Sequence, residues 1–174
     1  MTFGPANQIT LVRAVLVAAL AFLVARPATP AAAWGAVLIA LVALLLDGVD
    51  GWVARRTATV SDFGMRFDTE TDAAMVLVVA ALAWQHGKAG AWILAAGLLR
   101  YLFVAAGWVA PWMRRPLAPT LRGRLICIVQ VGALIVAMLP PIEPEVSRVV
   151  AAGGLLALVY SFAVDTLRLW RDAK

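Results

Sequence analysis

The sequence predicts an all-α, polytopic membrane protein: six transmembrane helices, a short N-terminal interfacial segment, and both termini in the cytoplasm. Three observations carry that prediction. Of the 174 residues, 63% are hydrophobic and the mean hydropathy is +0.89, where a soluble domain is about 45–50% apolar. Six apolar runs follow one another, each close to the ~20 residues that cross a bilayer. Basic residues gather in the short segments between those runs, as orientation signals do.

The runs cover about 10–27, 31–54, 67–86, 89–111, 121–140 and 147–169. Pro27 and Pro30 separate the first two, and a polar turn of roughly Thr57 to Gly64 separates the second from the third. Gly87 divides the third from the fourth. Pro111, Pro116 and Pro119 end the fourth, and Pro140, Pro141 and Pro144 make the last break. Proline removes a backbone donor and stops a helix, and glycine permits the tight turn of a helical hairpin. One domain, 1–174, is expected.

With the N-terminus inside, the cytoplasmic segments hold Arg13, Arg55, Arg56, Arg66, Arg114, Arg115, Arg122, Arg124, Arg168, Arg171 and Lys174. The opposite side holds only Arg26, Lys88 and Arg148. That asymmetry sets the orientation. Trp34, Trp84 and Trp92 fall at expected outer ends, and Trp108, Trp112 and Trp170 at inner ends, as an interfacial belt does. Arg13, its apolar run and the small-residue stretch from Pro27 to Ala33 also outline a secretory signal with a cleavage site, but its cleavage would put the acidic cluster described next on the wrong side of the charge bias. The net charge of +5 forms no continuous basic stripe, so no nucleic-acid partner is expected. One cysteine and one histidine exclude an intrachain disulfide and argue against a Cys/His zinc site.

Six of the ten acidic residues lie between Asp47 and Asp72: Asp47, Asp50, Asp62, Asp68, Glu70 and Asp72. Asp47/Asp50 are spaced i, i+3 and Asp68/Asp72 i, i+4, so each pair shares a face of its helix. From Trp34 to Asp47 is roughly 20 Å of helix at about 1.5 Å per residue, which leaves the carboxylates in the cytoplasmic third of a hydrocarbon core about 30 Å thick. Ionisable groups at that depth are costly and mark function. Four aspartates brought together by a helical hairpin need a counter-cation. Their hard oxygens suit Mg²⁺, Mn²⁺ or Ca²⁺, and four of them suggest two ions, an arrangement that clamps phosphoryl groups. Gly51 and Ala54 leave room beside the acids, Arg55 offers a cation for phosphate, and Gly64 allows close backbone approach.

Together these residues read Asp47-x2-Asp50-Gly51-x2-Ala54-Arg55-x8-Gly64-x3-Asp68-x3-Asp72. The pattern resembles the signature of the CDP-alcohol phosphotransferase family at every defined position. Asn7, Thr10 and Arg13 match an Asn-x-x-Thr-x-x-Arg element with which members often begin. The resemblance implies six membrane helices, commonly as a homodimer. It also implies transfer of a phosphatidyl unit from a CDP-linked lipid such as CDP-diacylglycerol to an alcohol, with release of CMP, in phospholipid biosynthesis at the cell membrane. By resemblance, Asp47, Asp50, Asp68 and Asp72 hold two divalent cations, Mg²⁺ or Mn²⁺, and Asp72 is also the general base. Asp50, Gly51, Ala54, Arg55, Gly64 and Asp68 would surround the cytidine diphosphate, with Asn7 and Thr10 beside it.

The acceptor is less legible. Arg100 lies inside the fourth run, to pair with Asp165 or to line the acceptor pocket. Gly123, Arg124 and Gln130 match a Gly-Lys-x-Lys-Thr-x-x-Gln stretch of phosphatidylglycerophosphate synthase-like members, while Ile126 and Cys127 depart from it. Arg100, Arg122 and Arg124 are the expected acceptor contacts and glycerol 3-phosphate the expected acceptor, with inositol phosphate or another polar alcohol as the alternative. Thr69 and Glu70 stand where many relatives carry proline and small residues. Cys127 is expected to be apolar filler in the fifth helix. A prenyltransferase would leave the interposed Ala54, Arg55 and Gly64 unexplained. A small divalent-cation or proton-coupled transporter needs polar lining in the outer helix halves, which are here almost wholly Ala, Val, Leu and Ile.

Overall fold

A computed structural model describes residues 5–57, 62–114 and 120–173, with side chains described for 8–49, 64–114 and 120–173. Among the described residues, six long α-helices occupy the six apolar runs: α1 (Pro5–Val24), α2 (Pro30–Thr57), α3 (Asp62–Gln85), α4 (Ala95–Val109), α5 (Leu121–Met138) and α6 (Pro144–Arg171). No strand occurs among the described residues.

The helix ends follow local chemistry. Pro30 opens α2, where Thr29 Oγ1 accepts from the Ala32 N–H at 3.2 Å. Thr120 caps α5 in the same way, accepting from Gly123 N–H at 3.1 Å. Past the end of α3, Gly87 takes φ +67, and the Lys88 N–H reaches back to Ala83 O at 2.9 Å. This is the left-handed stop that glycine permits without strain. Pro144 is a first-turn proline of α6. The fourth run does not start as an α-helix: Ala91–Leu94 is a 3₁₀ turn that leads into α4, and Pro111–Arg114 is another that follows it.

Among the described residues, four helical stretches are long and apolar enough to cross a membrane: Pro30–Val49, Ala91–Val109, Leu121–Met138 and Pro144–Arg171. Gln8–Val24 is a shorter apolar helix. α3 is not among the four, and its first half carries Asp68, Glu70 and Asp72. The protein is therefore a multi-pass helical membrane protein. Its outer surface agrees, because side chains such as Val15, Leu45, Leu102, Trp108, Val149 and Leu156 stand exposed on the outside of the bundle, where a soluble protein would keep polar groups.

The core is a seam of small and branched residues. Ala33, Ala36, Ala40 and Ala43 form the buried face of α2. Met75, Val76, Val79 and Ala83 do so on α3, and Val17 and Leu20 on α1. α1 packs against both α2 and α3, α3 against α4 and α5, and α5 against α6. Where α3 meets α4, a Cβ added at Gly97 would overlap the Leu77 backbone, so only glycine allows that approach.

Lys88, expected as a charge of the outer loop, is buried. Its Nζ donates to Leu139 O at 3.0 Å, to Pro140 O at 3.3 Å, and to Ile142 O. Pro140 and Pro141 end α5 and leave carbonyls without intrahelical donors, and the ammonium satisfies them.

Candidate active site

Each central face changes from apolar to polar at the same end of the bundle. On α1 the order Leu20, Val17, Arg13, Thr10 keeps one face at spacings of three and four, and all four residues are buried. On α2, Asp47 follows Ala43 by one turn. On α3, Asp72 and Asp68 precede Met75 and Val76. The helical repeat thus carries one continuous stripe from core into site on three helices.

At that end one oxygen each from Asp47, Asp68 and Asp72 falls within 4.8 Å of the others, close to the ~4–5 Å between opposite ligands of a hard cation. Arg13 reaches into the cluster from α1. Its Nη1 lies 3.1 Å from Asp47 Oδ1 and 2.5 Å from Asp68 Oδ1, and its Nη2 binds Asp72 Oδ1. The guanidinium side chain is 1% exposed, whereas the three carboxylates are 18–38% exposed. The sequence counts Arg13 among the orientation charges and as the last residue of the Asn7-x-x-Thr10-x-x-Arg13 element, but not among the expected site residues. The signal was present: it is the only charge among the first 25 residues, three positions on from Thr10 along one face. α2 and α3 therefore do not bring their acidic faces together alone, because an arginine on α1 joins them.

The donor set fits a divalent cation. Among the described residues it consists of carboxylate oxygens, and three carboxylates meet one guanidinium, so acidic groups outnumber the arginine that binds them. Asp50 lies one helical position set further along α2, at i+3 from Asp47. The side chains of Asp50, Gly51, Ala54 and Arg55 on α2 and of Asn7 on α1 fall outside the described residues. Thr10 is buried one turn from Arg13, and Gly64 lies in the first turn of α3, four residues before Asp68.

A cavity of about 280 Å³ opens beside the cage between α3, α4, α5 and α6, with Asp72, Arg100, Gly123, Cys127, Ser161 and Asp165 on its wall. That is small for a ligand pocket and of a size for a compact polar molecule. Two ion pairs strap the helices around it. Arg100 on α4 bonds Glu70 on α3 at 2.5 Å, and Arg122 on α5 bonds Asp165 on α6. Of the two expectations for Arg100, the pairing with Asp165 is corrected, because Arg100 binds Glu70 and Asp165 binds Arg122, while Arg100 does stand on the cavity wall. The buried Nε–H groups of Arg100 and Arg122 have no hydrogen-bond partner among the described residues; Arg100 lines the cavity and Arg122 does not. Arg124 is exposed in the first turn of α5 and does not line the cavity. Gln130 is fully buried against α6, where Gly154 leaves it room. Cys127, expected as filler, is a wall residue of the cavity. Glu70, Asp165 and Cys127 were not expected here, since helix-to-helix pairing depends on rotation and depth that sequence spacing does not give.

Fold and site define a multi-pass helical membrane protein with an acidic cluster that could hold a divalent cation and a cavity beside it. The chain belongs to the CDP-alcohol phosphatidyltransferase family, whose model matches residues 3–164. It is accordingly a phosphotransferase of substituted phosphate groups in phospholipid biosynthesis, drawing a phosphatidyl group from a CDP-alcohol. No curated protein matches the chain.

Proposed function

We propose that the protein transfers the phosphatidyl group of CDP-diacylglycerol to glycerol 3-phosphate and releases CMP, as a phosphatidylglycerophosphate synthase-like member of its family. The observation that carries this reading is the placement of Asp72, which belongs to the carboxylate cage and also to the cavity wall. A base there touches both the donor site and the space an alcohol would occupy.

Asp47, Asp50, Asp68 and Asp72 hold two divalent cations, Mg²⁺ or Mn²⁺. When bound, these neutralise the diphosphate and make CMP a better leaving group. Asp50, Gly51, Ala54, Arg55, Gly64 and Asp68 surround the cytidine diphosphate, with Asn7 and Thr10 beside it. Arg100, on the cavity wall, orients the acceptor, and Arg122 and Arg124, in the first turn of α5, add positive charge beside it. Asp72 takes the acceptor hydroxyl proton as the oxygen attacks the lipid-bearing phosphorus, and the bond to the CMP oxygen breaks. The apolar helices around the cage lower the local dielectric and strengthen each of these charge interactions.

The whole of 1–174 forms one domain with six spans, an N-terminal interfacial segment and both termini in the cytoplasm. The site faces the cytoplasm from the cell membrane. The positive-inside bias and the exposure of Trp34, Trp84, Trp92, Trp108 and Trp170 support this orientation. The lipid donor enters from the bilayer, and the enzyme works as a homodimer.

One observation favours a second acceptor class. Glu70 and Asp165 already neutralise Arg100 and Arg122, an environment that also suits an uncharged polyol. Purified protein, CDP-diacylglycerol and Mg²⁺ or Mn²⁺, assayed for CMP against glycerol 3-phosphate, inositol phosphate, inositol, serine and choline, separate the two. Preference for glycerol 3-phosphate is expected. Preference for inositol or another uncharged alcohol overturns that acceptor, and no CMP with any alcohol overturns the reading.

A further inference from the structure

We propose that Arg13 is a resident counter-cation of the carboxylate cage: it holds the cage together before a divalent cation arrives, and it weakens the binding of that cation. The proposal rests on the reading of Asp47, Asp68 and Asp72 as metal ligands and adds to it a residue that competes for their charge.

The geometry is specific. Arg13 meets all three carboxylates through their Oδ1 atoms, so its guanidinium lies where those oxygens converge. A planar fork with separate Nη1 and Nη2 donors spans carboxylates on two helices, which a lysine ammonium, as a single point, does less well. The side chain reaches this position along the buried face of α1, behind Thr10 and above Val17. It is more deeply buried than the acids it binds, and solvent can screen the three carboxylates better than it can screen the arginine.

Charge then sets the direction of the effect. Three clustered carboxylates at membrane depth, with no cation among them, repel each other and are poorly hydrated. Arg13 reduces their sum from three negative charges to two, so the cage is tolerable without metal. A divalent cation held by the same carboxylates would be repelled by the guanidinium, and it would have to compete with Arg13 for their Oδ1 atoms. The backbone positions of Asp47, Asp68 and Asp72 depend on the alanine and valine seam of α1, α2 and α3 rather than on Arg13. Removal of Arg13 therefore leaves the ligands near one another and raises their attraction for a cation. A residue that merely pre-organised the cage would act in the opposite sense.

The test uses full-length protein in detergent or nanodiscs with Mn²⁺ as the probe. Free Mn²⁺ is counted by electron paramagnetic resonance, and thermal unfolding is followed in EDTA and in saturating Mn²⁺. For R13Q, Mn²⁺ half-saturation falls at least tenfold below wild type, and a loss of Tm in EDTA is largely recovered by Mn²⁺. R13K, which keeps the charge but loses the fork, lies between the two. If R13Q does not fold in either condition, R13K alone decides: a severalfold fall in half-saturation supports the proposal, and an unchanged or raised value overturns it. R13Q that binds Mn²⁺ as weakly as wild type or more weakly, or that is equally destabilised with and without Mn²⁺, also overturns it. Failure of wild type and both variants alike to bind Mn²⁺ overturns the metal reading of the cage and the proposal with it.

Discussion

Asp72→Asn isolates the chemical step. Asparagine keeps the size of the side chain and an oxygen that can still accept from Arg13 Nη2, but it loses the negative charge and the basic site. Arg13 retains Asp47 at 3.1 Å and Asp68 at 2.5 Å. The fold therefore loses only the charge-assisted part of one partly exposed pair, at most about 1–2 kcal/mol. Loss of a positioned general base costs about 10²–10⁴-fold in rate, or roughly 3–5 kcal/mol in the barrier. The assay is CMP release in a single turnover with excess enzyme, run beside a thermal melt. The expected result is a near-native melt and a rate down by at least about 10²-fold. A second axis separates the two roles of this carboxylate: higher Mn²⁺ restores a variant that has lost only a ligand and does not restore one that has lost a base. Wild-type turnover, or full rescue by Mn²⁺, refutes the assignment of Asp72 as base.

Three further perturbations address the cavity and the bundle. Glu70→Gln releases Arg100 from its 2.5 Å partner, so KM for glycerol 3-phosphate falls severalfold while that for the CDP-lipid stays level; a rise in acceptor KM contradicts an anion-binding Arg100. Lys88→Met removes the donor shared by three carbonyls at the α5–α6 turn and destabilises by about 2–5 kcal/mol, since hydrogen bonds to charged groups are worth about 1.5–3 kcal/mol each and are not additive; an unchanged melt in detergent would refute the clamp. Gly97→Ala forces the Leu77 backbone away and costs about 1–3 kcal/mol, whereas Gly132→Ala, with open space around its Cβ, is neutral or stabilising by up to about 1 kcal/mol; equal effects at both sites contradict the close α3–α4 crossing.

Much of the helical layout was legible because its causes are local. Pro30, Gly87, Pro111 and Pro144 stop or start helices wherever they stand, and the apolar runs between them give each helix within a few residues. The spacing of Asp47, Asp68 and Asp72 was legible for the same reason, since a shared helix face is a matter of counting. What stayed hidden depends on how one helix is rotated and raised against another. Arg13 looked like an orientation charge because positive-inside counting assumes that a basic residue near a helix end faces water; the face it shares with Thr10, Val17 and Leu20 turns it inward instead. Arg100 had two acidic residues within conceivable reach, and only the α3–α4 crossing at Gly97 decides for Glu70. Lys88 looked solvated because the carbonyls it serves lie about fifty residues away in sequence, at a proline-bearing turn that ends α5. The side chains of Asp50, Gly51, Ala54 and Arg55 rest on the sequence pattern and the course of α2.

The central claim, that a carboxylate cage binds divalent cations and so drives release of CMP from a CDP-linked lipid, is tested most directly by CMP release titrated with Mn²⁺ after stripping with EDTA, in wild type and Asp68→Asn. The account predicts no release from either protein without metal, saturable recovery in wild type, and recovery in Asp68→Asn only at concentrations at least tenfold higher or not at all. Release of CMP that persists in EDTA, or that follows the same Mn²⁺ curve in both proteins, would contradict it.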